Sequence, residues 1–338
     1  MVCVFSFAYL PELTDDSNLL IKWTANFHFL QYATLVAYLP LMVGVLYLLG
    51  VNDDDVMSAR IANGTAGAVS VILLGWTWTR LMRPRPALQE LPDGASILTI
   101  GFVKVWHTGH EIRRKYRGLM WFFMNVSLVE AAQSSLAVIS LTFMTDVLKL
   151  SVTQNGIAIF TLFIFASIGT LLGQKSVKVM NPIRSSQLCN VYAMATTGAA
   201  AGILNRPGQQ IEACVFAALW GIGAGWKNTV ERFTVTQLIP KDQDAELMGL
   251  YLFSSQVLVW CPSLIYTTLN ESVYDPRIGL AMLMVFFFGG LTCLFFISYE
   301  KALESVNSVE NHIVASDEKD ETITTRRSRC PTDAMTEV

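Results

Sequence analysis

Residues 226–250 read WKNTVERFTVTQLIPKDQDAELMGL, and here charge interrupts apolar sequence. Lys227, Glu231 and Arg232 follow directly on the apolar run 211–226, while Lys241, Asp242, Asp244 and Glu246 directly precede another, 247–269. Pro240, which removes a backbone donor and ends helices, lies between the two charge groups. A soluble protein would use such a stretch as a surface turn. The flanking runs are too apolar for that, so it reads as a tight polar connection between two membrane spans.

The composition points the same way. The chain has 338 residues, 52% hydrophobic and 15% charged, with a mean hydropathy of +0.43. Soluble domains carry about 25% charged residues, so this chain has too little polar surface to cover itself in water. Apolar runs near the length of a bilayer-spanning helix recur through it. The expected class is an all-α, multi-pass membrane protein. The net charge of −3 carries no nucleic-acid signal, and no basic nucleic-acid-binding cluster stands out. Cys189, Cys214, Cys261 and Cys293 lie inside apolar runs and read as small core residues; with Cys3 and Cys330 they form no CxxC and no metal-ligand spacing. Met1–Leu10 lacks the basic start and cleavage site of a signal peptide. It resembles the last turns of a helix whose beginning is missing.

Eight spans are expected, over 28–50, 63–82, 119–143, 155–173, 187–204, 211–226, 247–269 and 278–298. The fifth and sixth are the least hydropathic because they are rich in small residues, among them Gly221, Gly223, Ala224 and Gly225. Small residues let helix backbones approach closely. That accounts for Gly221-x-Gly-x-Gly225 better than a phosphate loop does, since no strand precedes it. Alternate connections collect Arg80, Arg83, Arg85, Lys104, Arg113, Arg114, Lys115 and Arg117, then Lys175, Lys178 and Arg184, then Lys227, Arg232 and Lys241. The opposite set holds Arg60, Lys149, Arg206 and Arg277. The positive-inside rule puts the first set, and with it the tail 299–338, in the cytosol. Trp23, Trp76 and Trp78 fall near span ends, where interfacial aromatics belong.

These spans divide the chain into 1–82, a linker 83–118, a six-span half 119–298 and a disordered tail 299–338. The linker opens with a proline-rich RPRPALQELPDG and turns amphipathic, with Ile97, Ile100, Val103 and Trp106 at helical spacing before the basic HEIRRKYR. It reads as an interfacial helix facing lipid headgroups. His107 and His110 have no evident third metal ligand. Asn63-Gly-Thr and Asn270-Glu-Ser are sequons close to helix ends. Asp15-Asp-Ser-Asn-Leu19-Leu20 fits the acidic dileucine pattern read by vesicle adaptors, weak support for an endolysosomal or vacuolar address.

Glu130 is the acid placed deepest inside an expected span. An ionisable group at that depth is costly and faces a cavity or a partner. Gln133 and Ser134 share its helical face by i, i+3 and i+4 spacing. Two readings stand: a substrate or proton site, or helix–helix hydrogen bonding. Gln256 and Trp260 share a face of the seventh span, which Pro262 should kink, and kinked helices at membrane depth are tolerated where they line a cavity. The expected pathway residues are Glu130, Gln133, Ser134, Gln256 and Trp260. No Ser/His/Asp set, paired pocket carboxylates or phosphate loop is present, so an enzyme is not expected and no cofactor is implied.

Arg232 followed by QLIPKDQDAELMGLY (237–251) resembles the corresponding connection of the autophagy-related vacuolar effluxer family, a branch of the major facilitator superfamily. That family has an Arg near the end of its tenth helix and an LIPPG-(basic)-EAEFFGLY-like segment after it. Arg232, Ile239, Pro240, Ala245, Glu246, Gly249, Leu250 and Tyr251 match, while Lys241 and Asp242 replace the Pro-Gly pair. Trp260 and Pro262 are similar to its W-x-GP segment, with shortened spacing. GLMWFFMNVSLVEAAQSS (118–135) resembles its seventh helix, with Glu130 at the family's acid, and VFSFAYLPEL (4–13) resembles the end of its fourth. The resemblance implies a partial major-facilitator fold of about eight transmembrane helices, corresponding to helices five to twelve, and hence an N-terminally truncated chain. It implies a secondary transporter in the vacuolar membrane that exports amino acids after autophagic degradation by alternating access. Glu130 would bind substrate or couple a proton, and Arg232, Lys241, Asp244 and Glu246 would form a cytosolic gate. The expected partners are the bilayer and a small solute, with no nucleic acid, plus a partner chain if the truncation is real. The alternatives are a non-transporting membrane scaffold and a facilitator for another small solute.

Overall fold

The computed structural model describes residues 16–50, 55–80, 117–239, 244–271, 276–300 and 303–304. The segment 4–13, nearly all of the linker 83–118 with His107 and His110, Lys241, and the tail from 305 onward lie outside the described residues. Within them the chain is helical, without a strand: α1 (Ser17–Leu49), α2 (Asp55–Arg80), α3 (Arg117–Asp146), α4 (Val152–Val179), α5 (Pro182–Ile203), α6 (Gln210–Leu238), α7 (Asp244–Gln256), α8 (Trp260–Glu271) and α9 (Pro276–Phe295).

Local chemistry sets the helix ends. Asp16 caps α1 by accepting from the Asn18 amide at 2.9 Å, and Gly50, at φ 68°, closes it in the left-handed conformation that costs glycine nothing. Ser151 and Gln154 form a reciprocal capping box at the start of α4. Pro182 occupies the first turn of α5 behind an Asn181 cap, so only Met180 and Asn181 separate α4 from α5.

The seventh expected span is broken, as Pro262 predicts. Residues 257–259 form a turn between α7 and α8. Proline cannot donate to the carbonyl one turn back, and the Cys261 amide reaches the Leu258 carbonyl instead, at 3.0 Å. Ser135 of α3 donates to the Val259 carbonyl at 3.2 Å and accepts from the Ser263 hydroxyl at 3.1 Å, so α3 pins the break.

Six helical stretches among the described residues are long and apolar enough to cross a membrane: α1, α2, α3, α4, the broken α7–α8 pair and α9. The protein is thus an all-helical, multi-pass membrane protein. The fifth and sixth expected spans, α5 and α6, are full helices whose polar residues keep them below that hydropathy. α6 packs inside the bundle, most extensively against α4, while α5 packs against α9 and keeps one exposed apolar face with Leu188, Val191 and Ile203.

The α4–α6 seam confirms the small-residue expectation. A Cβ on Gly221 would overlap the Leu162 carbonyl oxygen, one on Gly225 that of Ala166, and one on Gly169 that of Ile222. The two backbones therefore touch, and dispersion at that distance replaces the hydrophobic drive that lipid cannot supply. Around this seam the apolar core falls into two clusters. One is built on Leu136, Phe143, Phe216, Trp220 and Phe287, the other on Phe122, Val126, Val235, Leu247 and Leu294. Polar residues lie between them.

Three expectations change. α1 begins at Ser17, eleven residues before the expected start at 28. α6 does not end at residue 226: it runs on to Leu238, so Lys227, Glu231 and Arg232 belong to a helix rather than to a connection. No helix breaker occurs between Trp226 and Pro240, and partners inside the bundle compensate the charges. Leu20 is 3% exposed and packs with Ile21 against Phe233, so the acidic dileucine pattern is not presented to an adaptor. At the other extreme, α2 exposes almost its whole surface and meets α1 through Tyr38, whose hydroxyl donates to the Ala62 carbonyl at 3.1 Å.

Candidate functional site

Glu130 lies about 20 Å along α3 from Arg117, and Lys227 about 16 Å along α6 from Leu238, at a rise of about 1.5 Å per residue. The antiparallel helices bring the two side chains together, and Lys227 Nζ pairs with Glu130 Oε2. One turn on along α6, Glu231 Oε2 lies 3.3 Å from the same ammonium. The Tyr251 hydroxyl of α7 donates to Glu231 Oε1 at 2.5 Å, and the Arg232 guanidinium stacks over the Tyr251 ring, 4.6 Å from its centre. Glu130, Lys227, Glu231 and Tyr251 thus link α3, α6 and α7 in the polar layer between the two apolar clusters.

Burial differs sharply along this chain of charges. The Lys227 and Glu231 side chains are 6% and 7% exposed, whereas that of Glu130 is 27% exposed. Burying one unpaired charge costs several kcal/mol, and two acids flanking one ammonium, with a phenol on the second acid, offset much of that. Beside the pair is a small cavity lined by Asn125, Val129, Ser186, Cys189, Asn190, Lys227 and Glu231, with about 10 Å³ open to the centre of a water molecule. That is room for roughly one water. Asn190 donates across it to Asn125 Oδ1 at 3.1 Å, and Gly290 of α9 leaves space for Asn125, since a Cβ there would meet its Oδ1 at 3.0 Å.

Neutral networks flank the charges. The Trp226 indole donates to Ser176 Oγ at 2.9 Å and Ser185 Oγ at 3.0 Å, tying α4, α5 and α6 together. Asn228 donates to the Tyr32 hydroxyl at 2.7 Å, tying α6 to α1. Among the described residues no group of three His, Cys, Asp or Glu side chains could hold a metal ion.

The expected site residues are distributed as follows. Gln133 and Ser134 are half-buried on the Glu130 helix, and the Ser134 hydroxyl donates to the Glu130 carbonyl at 2.6 Å. Gln256 is exposed at the end of α7 and donates to Ser255 Oγ at 3.4 Å. Trp260, 62% exposed at the start of α8, spends its indole N–H on the Val257 carbonyl at 2.9 Å and lies outside the buried network. Of the expected gate residues, Arg232 stacks on Tyr251 within α6 to α7 and Glu246 is half-buried on α7. Asp244 is the first residue of α7, and its side chain lies outside the described set. Lys227, Glu231 and Tyr251 were not expected as site residues. The i, i+4 spacing of Lys227 and Glu231, with no helix breaker between them, was the available signal.

A family model described as Vacuole effluxer Atg22 like matches residues 25–307. The chain belongs to this family. The matched range takes in α2 to α9, most of α1 and every member of the ionic network. The effluxer family is a family of transporters rather than of enzymes. No curated protein matches the chain. The arrangement places one ammonium within reach of two carboxylates held by different helices.

Proposed function

We propose that this chain is a secondary transporter that moves small polar solutes, amino acids foremost, out of the vacuole by alternating access. The observation that supports it best is the ion pair between Glu130 and Lys227, carried by different helices and placed near the middle of each, with Glu231 as a second partner for the lysine. A permanently static interface has no need of charges there, since apolar residues of similar volume serve as well or better. A charged group open to one side at this depth belongs to a water-filled cavity rather than to lipid, so the exposed edge of Glu130 marks the solute path. Gln133 and Ser134 line that path on the same helix, and Gln256 and Trp260 stand at the break between α7 and α8. The break, pinned by Ser135, lets α7 and α8 tilt separately as access alternates. Arg232, Lys241, Asp244 and Glu246 form the cytosolic gate. The vacuolar membrane follows the family's description, and the cytosolic tail follows the positive-inside count, which keeps its sign without Lys227 and Arg232.

Reconstitution tests this reading. The full chain in proteoliposomes should accumulate labelled leucine in a counterflow assay, and Glu130→Gln should reduce the initial rate at least tenfold while the protein stays folded by circular dichroism. Absence of flux for every amino acid, sugar and nucleoside tried would favour the alternative, a non-transporting assembly partner.

A further inference from the structure

We propose that Glu130 is the docking point for the protonated amine of the transported solute, and that Lys227 occupies that place until the solute arrives. The inference rests on the transport reading and adds the chemical group that is recognised. The two acids beside Lys227 are not equivalent. Glu231 is buried, held by its own helix neighbour Lys227 at 3.3 Å and by the Tyr251 hydroxyl at 2.5 Å. Glu130 is 27% exposed, stands on a different helix, and takes Lys227 as its partner. Glu130 is therefore the more accessible of the two acids, and Glu231 is closed in by Lys227 and Tyr251 around a cavity with room for about one water.

The lysine has somewhere to go. Its ammonium already lies within ion-pairing distance of Glu231, so leaving Glu130 needs a small shift along α6, beside a cavity that can admit a water. The charges that face the exchange are all on hand. Arg232 and Tyr251 back Glu231, Asn125, Cys189 and Asn190 line the cavity, and His28 of α1 lies within electrostatic range of Lys227 and Arg232. An arriving ammonium keeps Glu130 compensated at every stage, and the displaced lysine compensates Glu231. A solute without a positive charge would have to leave Glu130 unpaired, at a cost of several kcal/mol. The site thus selects amines, and a carboxylate on the solute is secondary. The exchange also loosens the direct α3–α6 tie, which gives the bound solute a differential effect on two states.

The test compares three probes with the same aliphatic tail on the purified full chain in detergent, reading thermal unfolding. L-leucine and L-leucine methyl ester carry the amine, and 4-methylpentanoate carries only the carboxylate. Leucine and its ester should raise the melting temperature, and 4-methylpentanoate should not. Glu130→Gln should abolish the shift, and Lys227→Met should lower the half-saturating ester concentration about tenfold, a typical size for coupled binding. If Lys227→Met fails to fold, the comparison of probes on the unaltered chain decides alone. Stabilisation by 4-methylpentanoate equal to that by the ester, no shift from either amine, or an unchanged amine shift in Glu130→Gln overturns the proposal. The transport reading fails separately: leucine binding without leucine flux removes transport and leaves the docking point. Leucine flux that persists in Glu130→Gln removes the docking point and leaves transport.

Discussion

The two sides of α6 are built on opposite principles. Gly225 and Lys227 are about 200° apart around the helix at about 100° per residue. On the glycine side, α6 and α4 touch backbone to backbone, and nothing there can adjust without separating the helices. On the lysine side, α6 meets α3 and α7 through side chains with more than one available partner. One face fixes a pair of helices as a unit, and the other joins that unit to its neighbours through side chains alone. Under the proposed transport reading, the first serves as a rigid lever and the second as a contact that can be exchanged.

The largest expected effect lies on the exchangeable side. Lys227→Met removes the cation shared by Glu130 and Glu231, and breaking a buried pair costs about 3–5 kcal/mol. Thermal unfolding should show a drop of several degrees, and adding Glu130→Gln in the same chain should restore part of it. A double variant no more stable than Lys227→Met alone would mean that the pair is not coupled. On the fixed side, Gly225→Ala should cost about 1–3 kcal/mol, in the range for overpacking. No side-chain substitution on α4 should rescue it, because the added Cβ meets the Ala166 carbonyl oxygen. Rescue by any such change would show the seam to be softer than its geometry. The smallest effect belongs to the neutral network between these faces. Ser185→Ala removes one of two hydroxyls that accept from Trp226 and should cost about 1 kcal/mol. Flux in proteoliposomes should be unchanged, whereas Lys227→Met should alter its solute dependence.

Much of this was legible in the residues. Apolar runs of bilayer length marked the helices, Pro262 marked the break in the seventh span, and Gly221, Gly223 and Gly225 marked close packing. Glu130 stood out because an acid at mid-span has no cheap explanation. The end of α6 was misread for a physical reason: charge inside a helix and charge at its end look alike in one dimension. Lys227 and Glu231 gave a helical spacing, yet their number and their proximity to Pro240 suggested a connection. The acidic dileucine reading failed in a similar way. Its residues have the right order, but Leu20 is committed to packing against Phe233.

By itself the sequence determined that this chain is a bundle of membrane helices of the effluxer family, because length, hydropathy and small-residue spacing act locally along each helix. Only the tertiary structure decided that Glu130 has Lys227 as its partner, that Glu231 shares the same ammonium, and that Tyr251 secures the second acid. The contacts of Glu130 with Lys227 and of Tyr251 with Glu231 join residues roughly 20 to 100 positions apart, whereas the Lys227–Glu231 pair is one helical turn long and needed only α6 to run on past residue 226. A buried charge announces that it needs compensation, but which helix supplies it depends on how the glycine seam and the apolar clusters set the helices side by side.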